Sequence, residues 1–130
     1  MRKLTATLCL TLAVLLGSVG MSRSADFQKG LTAYKSGDYA TALREFTPLA
    51  KQGDASAQYN LGQMYRKGNG VLQDYKTAVK WYRLAAKQGD AFAQYNLGVM
   101  YRKGQGVLQN DKTAVKWYLL AAKQGDAFAQ

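Results

Sequence analysis

From Asp54 onward, apolar residues recur at intervals of three and four, the period of a helix with one buried side. With Leu61 set at zero on a helical wheel, Ala57, Gln58, Met64 and Tyr65 fall within about 60° of it. Gly62 lies at the edge of this stripe, where a missing side chain admits a neighbouring helix. Asp54, just after Gly53, is placed to cap the helix start. The loop Gly68-Asn69-Gly70-Val71 ends the pattern, because two close glycines supply backbone angles that other residues resist. Asp74 then caps a second helix with the stripe Tyr75, Ala78, Trp81, Tyr82 and Ala85, and Gly89 is suited to a left-handed helix end. Helices of about 14 residues, each apolar on one side, do not stand alone, whereas stacked hairpins do.

The same hairpin is written more than once. Residues 54–89 and 90–125 differ at only six positions, and Asp54, Asp90 and Asp126 are spaced by 36. A degenerate copy precedes them: Asp38, Tyr39, Thr41 and Ala42 match Asp74, Tyr75, Thr77 and Ala78 at that spacing. Upstream the offset falls to 31, with Tyr34 and Gly37 against Tyr65 and Gly68, so the first copy has a loop five residues shorter. The expected units are a degenerate hairpin at 25–53, full repeats at 54–89 and 90–125, and an incomplete one at 126–130. That final stub is expected to be either the start of a further repeat or a minimal lid on the preceding helix.

The recurring residues Ala57, Leu61, Gly62, Tyr65, Gly68, Gly70, Val71, Asp74, Ala78, Trp81, Tyr82, Ala85, Ala86 and Gly89 carry a resemblance. Their pattern is similar to the Sel-one-like repeat, a subfamily of tetratricopeptide-type repeats. The second copy repeats it from Ala93 through Gly125, with Asn110 in place of the aspartate, and asparagine caps helices equally well. The resemblance implies an all-α fold, a right-handed superhelix of antiparallel helix pairs that acts as a protein-binding adaptor. It also implies a bacterial protein exported to the periplasm.

The N-terminus agrees with export. Arg2 and Lys3 precede an apolar run from Leu4 to Val19, and Ser22 and Ser24 offer small residues for a signal peptidase. A signal peptide over 1–24 with cleavage near Ser24 or Ala25 is expected, the run being shorter than the ~20 residues that span a bilayer. The mature protein would then be periplasmic or secreted. Cleavage removes Cys9, the only cysteine, and lowers the formal net charge from +10 to +7.

Composition narrows the chemistry. The absence of histidine argues against most zinc sites and against serine or cysteine triads. Glu45 is the only glutamate, and Asp54, Asp74, Asp90 and Asp126 sit where helix capping accounts for them. The glycine pairs 68/70 and 104/106 lack the Lys-Ser/Thr ending of a phosphate loop. Exported family members linked to penicillin-type ligands are cysteine-rich, and the mature chain has no cysteine. No catalytic residue, cofactor or metal is expected. Nucleic acid is also disfavoured, because Tyr65, Trp81, Tyr82, Tyr101, Trp117 and Tyr118 fall on or beside the buried stripe rather than on an open stacking platform.

Two surface strips remain. Ser56 becomes Phe92 and Gln63 becomes Val99 between copies, on the side of the first helix opposite its apolar stripe. First helices line the concave surface in related solenoids, so the resemblance makes Tyr59, Gln63, Arg66, Phe92, Tyr95, Val99 and Arg102 candidates for protein binding. Packing of Phe92 and Val99 into a neighbouring repeat is the other open reading. On the second helix, Lys76, Lys80, Arg83 and Lys87 share a face, repeated by Lys112, Lys116 and Lys123. That face reads either as a solvated surface or as a weak contact for anionic glycan or a membrane surface. The alternative function is therefore a structural envelope module.

Overall fold

The computed structural model describes residues 22–129, with side chains through residue 125. Among the described residues there are six helices and no strand. They are α1 (22–36), α2 (Tyr39–Lys51), α3 (Ala55–Lys67), α4 (Tyr75–Lys87), α5 (Ala91–Lys103) and α6 (Asp111–Ala129). The extensive packing runs between consecutive helices from α2 through α6, as in a solenoid whose units contact mainly their neighbours. None of the described helices is long and apolar enough to cross a membrane. Residues 1–21, which hold Cys9 and most of the expected signal peptide over 1–24, lie outside the described residues, and α1 covers both Ser24 and Ala25.

The local signals act as their chemistry requires. Asp38, Asp54, Asp74 and Asp90 each accept a hydrogen bond from the backbone N–H three residues on, at 3.2, 2.8, 3.2 and 2.8 Å. Asn110 does the same for Thr113 N–H at 3.0 Å, so the asparagine keeps the capping position of its aspartate counterpart. Gly68 closes α3 in the left-handed region (φ 72°) and donates to the Met64 carbonyl. Gly70 is also left-handed (φ 72°), and a Cβ there would stand 2.8 Å from Tyr39 Cβ. The loop therefore needs its second glycine for close approach to α2 as well as for turning.

The core follows the seams between repeats. One buried cluster joins Ala33, Ala42, Phe46, Leu49 and Ala50 to Ala57, Leu61 and Met64 of α3. The next joins Ala78, Val79, Tyr82, Ala85 and Ala86 of α4 to Ala93, Leu97 and Met100 of α5. Val79 and Ala86 widen the expected α4 stripe, and Tyr75 and Trp81 are half-buried at its flank. Gly62 fits against the Tyr82 ring, where a Cβ would come within 2.7 Å; Gly98 meets Tyr118 in the same way at 2.8 Å.

Two buried glutamines stitch the seams. Gln58 Nε2 donates to the Ala50 carbonyl at 3.1 Å, and its Oε1 accepts from Gln88 at 2.8 Å. One repeat later, Gln94 donates to the Ala86 carbonyl at 3.1 Å and accepts from Gln124 at 3.0 Å. Each buried amide is thus paired, which removes the desolvation penalty of about 1–3 kcal/mol for an orphaned polar group.

The end of α6 departs from the sequence expectation. Gly53 and Gly89 adopt φ of 100° and 99° and reverse the chain, but α6 runs helically through Gly125 to Ala129. Asp126 consequently lies inside a helix rather than at a helix start. At Gly89 the reversal is held by the following helix, through Asp90 N–H to the Ala85 carbonyl and Gln94 to the Ala86 carbonyl. No such helix packs beyond Gly125 among the described residues, and local hydrogen bonding continues the helix instead.

Candidate protein-binding surface

The seven candidate residues divide into a closed set on α3 and an open set on α5. On α3, Tyr59, Gln63 and Arg66 form one hydrogen-bonded group with Tyr82 of α4. Gln63 Nε2 donates to the Tyr59 hydroxyl at 2.7 Å. Gln63 Oε1 accepts from Arg66 Nη2 at 2.9 Å and from the Tyr82 hydroxyl at 2.8 Å. Arg66 Nε lies 3.1 Å from the same hydroxyl. Burial pushes the Tyr82 phenol far above its ordinary range, and burial also raises Tyr59. Both stay neutral, so Tyr82 keeps the proton it donates to Gln63.

On α5 the amide is missing. Val99 stands where Gln63 does, and among the described residues Arg102 has no hydrogen-bond or ion-pair partner within its own repeat or the preceding one. Arg102 is exposed, Tyr95 is 56% exposed and Phe92 70% exposed. Phe92 is shared between the two readings of its role. Its ring lies 5.9 Å from that of Tyr59 in the preceding repeat, yet most of its surface faces solvent. Tyr95 stacks obliquely on Tyr118, ring centres 5.5 Å apart.

Behind Phe92 and Tyr95 opens an apolar groove of about 800 Å³, lined also by Tyr118, Ala121, Ala122 and Gln124. The sequence pattern marks Tyr118 as part of a buried stripe and does not single out Ala121, Ala122 or Gln124. Their counterparts one repeat earlier, Tyr82, Ala85 and Ala86, are buried under α5, so the pattern alone marks them as core. Among the described residues no helix covers them, and they line the groove instead.

The basic face of the second helices is partly dismantled. Lys76, Lys80 and Lys87 are exposed, as are Lys112, Lys116 and Lys123. Arg83 is half-buried and turns back to donate to the Tyr101 hydroxyl at 3.0 Å, so it leaves the strip. Among the described residues, ion pairs form only around Glu45, with Lys29 and Arg44. Tyr82 is fully buried, and Tyr65, Trp81, Tyr101, Trp117 and Tyr118 are half-buried, packed among the helices.

Comparison with known proteins agrees with this architecture. A Sel1 repeat protein from Oxalobacter formigenes superposes with a TM-score of 0.72 at 41% identity, covering 75% of this chain and 40% of that one. A protective antigen present in uropathogenic Escherichia coli strains, displaying an SLR fold, gives a TM-score of 0.75 at 41% identity. It covers 79% of this chain and 23% of that one. The chain thus spans well under half the length of either protein. Helicobacter pylori cysteine rich protein B shares the fold at 21% identity, with a TM-score of 0.62 and coverage of 80% and 89%. No curated protein matches the sequence significantly. The Sel1 repeat profile matches residues 55–90 and 91–126, within one residue of the boundaries set by the 36-residue spacing. The chain is a helical-repeat solenoid that belongs to the Sel1 repeat family.

Proposed function

We propose that this chain is a non-catalytic adaptor that binds a protein partner through its first-helix surface, centred on Phe92, Tyr95, Val99 and Arg102. The observation that carries the reading is the exposure of two large aromatic rings beside an apolar groove and an exposed arginine. Clustered exposed apolar surface is costly in water and marks interaction sites, and aromatic and arginine side chains are their usual anchors. Sel1 repeats typically serve protein–protein interaction, which supports the same reading. Tyr59, Gln63 and Arg66 adjoin the site and brace it through Tyr82. We further propose that the protein works outside the cytoplasm. Arg2, Lys3 and the apolar run after them support this, and N-terminal sequencing of the mature protein should begin near Ala25.

The test is capture of partner from an envelope extract by the tagged chain, compared with Phe92→Ala and Tyr95→Ala. Both variants should lose capture while retaining their melting temperature, because the rings are mostly exposed. A fall in melting temperature with capture unchanged would remove the binding claim. Capture of glycan or lipid that washes off as salt rises past the screening range would move the function to the lysine face.

A further inference from the structure

We infer that the edge of the solenoid formed by the hairpin loops is a docking surface for an anionic lipid bilayer, with Leu72 and Leu108 inserted between the headgroups. Each leucine is 91% exposed, more than any other large apolar side chain among the described residues. The loops that carry them are held in place. Val71 and Val107, beside the leucines, pack on the two buried clusters. Asp74 N–H donates to the Tyr65 carbonyl at 2.9 Å, and Asn110 N–H donates to the Tyr101 carbonyl at the same distance. Gln73 Nε2 reaches back to the Arg66 carbonyl at 2.8 Å. Leu72 also belongs to a hairpin packed on both sides, against α2 and against α5, so its exposure is set by the motif.

Positive charge gathers on the same edge. Lys35 lies in the last turn of α1, Lys67 and Lys103 end α3 and α5, and Lys76 and Lys112 stand in the first turns of α4 and α6. All five are exposed. Three carboxylates accompany them, Asp38, Asp74 and Asp111, and the first two are engaged by the N–H groups of Thr41 and Thr77. The opposite edge, where Gly53 and Gly89 turn the chain, balances Lys51 and Lys87 with Asp54 and Asp90. Apolar tips on a basic rim suit an anionic interface, where acyl chains take the leucines while the lysines stay at the phosphates. A protein interface would draw on a contiguous apolar patch, and at 91% exposure each leucine touches little of its own fold. The leucines also set this contact apart from the purely electrostatic one open to the lysine face of the second helices.

The test uses the whole chain with Cys9→Ser and a single nitrobenzoxadiazole dye, placed at Leu108→Cys or, on the opposite edge, at Lys87→Cys. At position 108 the apolar dye takes the place of the leucine, and each dye reports only its own surroundings. Vesicles of equal parts phosphatidylglycerol and phosphatidylcholine should brighten the dye at 108 and shift its emission to the blue, with the dye at 87 unchanged. Leu72→Asp should raise the lipid concentration at half-signal by about tenfold or more. Lys67→Glu combined with Lys103→Glu should do the same, an effect that fades as salt passes the screening range. Lys51→Glu, the same charge change on the opposite edge, should leave the curve where it is. Circular dichroism checks that Leu72→Asp keeps its helix content, and Leu72→Ser serves instead if it does not. Absence of a response, equal responses at 108 and 87, or a Leu72→Asp curve that matches the parent overturns the inference. So does an equal response to phosphatidylcholine alone or to soluble dextran sulfate. The Phe92 and Tyr95 surface takes no part in this contact, so the adaptor reading stands or falls by its own test.

Discussion

The two copies of the repeat permit a controlled experiment: the same glycine-to-alanine change in the same motif, once at Gly62 and once at Gly98. At Gly62 the new Cβ would lie 2.7 Å from Tyr82 Cδ1 and 2.8 Å from Cε1. Van der Waals contact needs about 3.5–4.0 Å, so the ring must retreat by roughly 1 Å. Tyr82 is fully buried, and its hydroxyl is held by Gln63 and Arg66. Overpacking of this kind costs about 1–3 kcal/mol, and disturbing one hydrogen bond adds about 1 kcal/mol. Alanine recovers about 1 kcal/mol over glycine inside a helix, leaving Gly62→Ala destabilised by about 2 kcal/mol. At Gly98 the clash is similar on paper, 2.8 Å to Tyr118 Cε1 and 3.2 Å to the Ala114 carbonyl oxygen. Tyr118, however, is half-buried and borders the open groove, so its ring has somewhere to go. There the strain falls to about the helical gain, and the net change is about zero. Thermal unfolding followed by circular dichroism should show Gly62→Ala melting about 10 °C lower and Gly98→Ala near wild type, given about 4–8 °C per kcal/mol for a domain of this size. A Gly98→Ala loss equal to or greater than that of Gly62→Ala would refute the claim that the α5–α6 groove is open.

The glutamine stitches and the titrating groups give three further tests. Gln94→Leu keeps the side-chain volume but removes its bonds with the Ala86 carbonyl and the Gln124 amide, which keep their bonds to Gly89 N–H and to the Gly89 carbonyl, and should cost about 1 kcal/mol by urea titration. An unchanged midpoint would mean that the seam is held by apolar packing alone. Tyr82 is pushed up by burial, so the folded chain keeps a proton that the unfolded chain releases near the ordinary phenol value of 10. Its contribution is complete below that value and is lost as pH rises above it. The urea midpoint should therefore fall above about pH 10, and Tyr82→Phe should flatten the alkaline limb. At the acid end, Thr77 holds Asp74 below its usual 3.8 by hydrogen bonding, so that cap stabilises above 3.8 and is lost as pH drops through the folded value. Asp74→Asn should flatten the acid limb, and an unaltered acid profile would remove the cap from the account.

What the sequence reveals here is what a single helix or turn can encode. The caps at Asp38, Asp54, Asp74 and Asp90 and the left-handed glycines at 68 and 89 depend on a few adjacent residues, and each lies where the pattern puts it, unlike Asp126. The α3 stripe is equally legible, because its core face forms a narrow arc. The α4 stripe is read too narrowly. α4 packs on α3 at one side and α5 at the other, so Val79 and Ala86 are buried beyond the arc of a single seam. Hydrogen bonds between helices leave no periodic trace. Nothing in the pattern tells that Arg66 and Gln63 meet Tyr82, or that Arg83 leaves the lysine face for Tyr101. Gly125 shows the same limit, since its neighbours Lys123, Gln124 and Asp126 match those of Gly89 and yet the helix continues.

That contrast explains how nearly identical repeats acquire different surfaces. Tyr82 and Tyr118 occupy one position of the motif, but one is sealed beneath α5 and the other borders open space. Burial is therefore a property of the neighbour: the same motif position is core where a helix packs over it and half-exposed where, among the described residues, none does. The substitution of Val99 for Gln63 adds a second effect. It removes the amide that joins tyrosine, arginine and tyrosine into a closed group in the preceding repeat. Among the described residues Arg102 and the Tyr95 hydroxyl then have no hydrogen-bond partner, whereas Arg66 and the Tyr59 hydroxyl are engaged through Gln63. Restoring the amide with Val99→Gln would close the group from inside, and so separates the two causes of exposure: it engages the polar ends of Tyr95 and Arg102 while leaving the apolar floor of the groove uncovered.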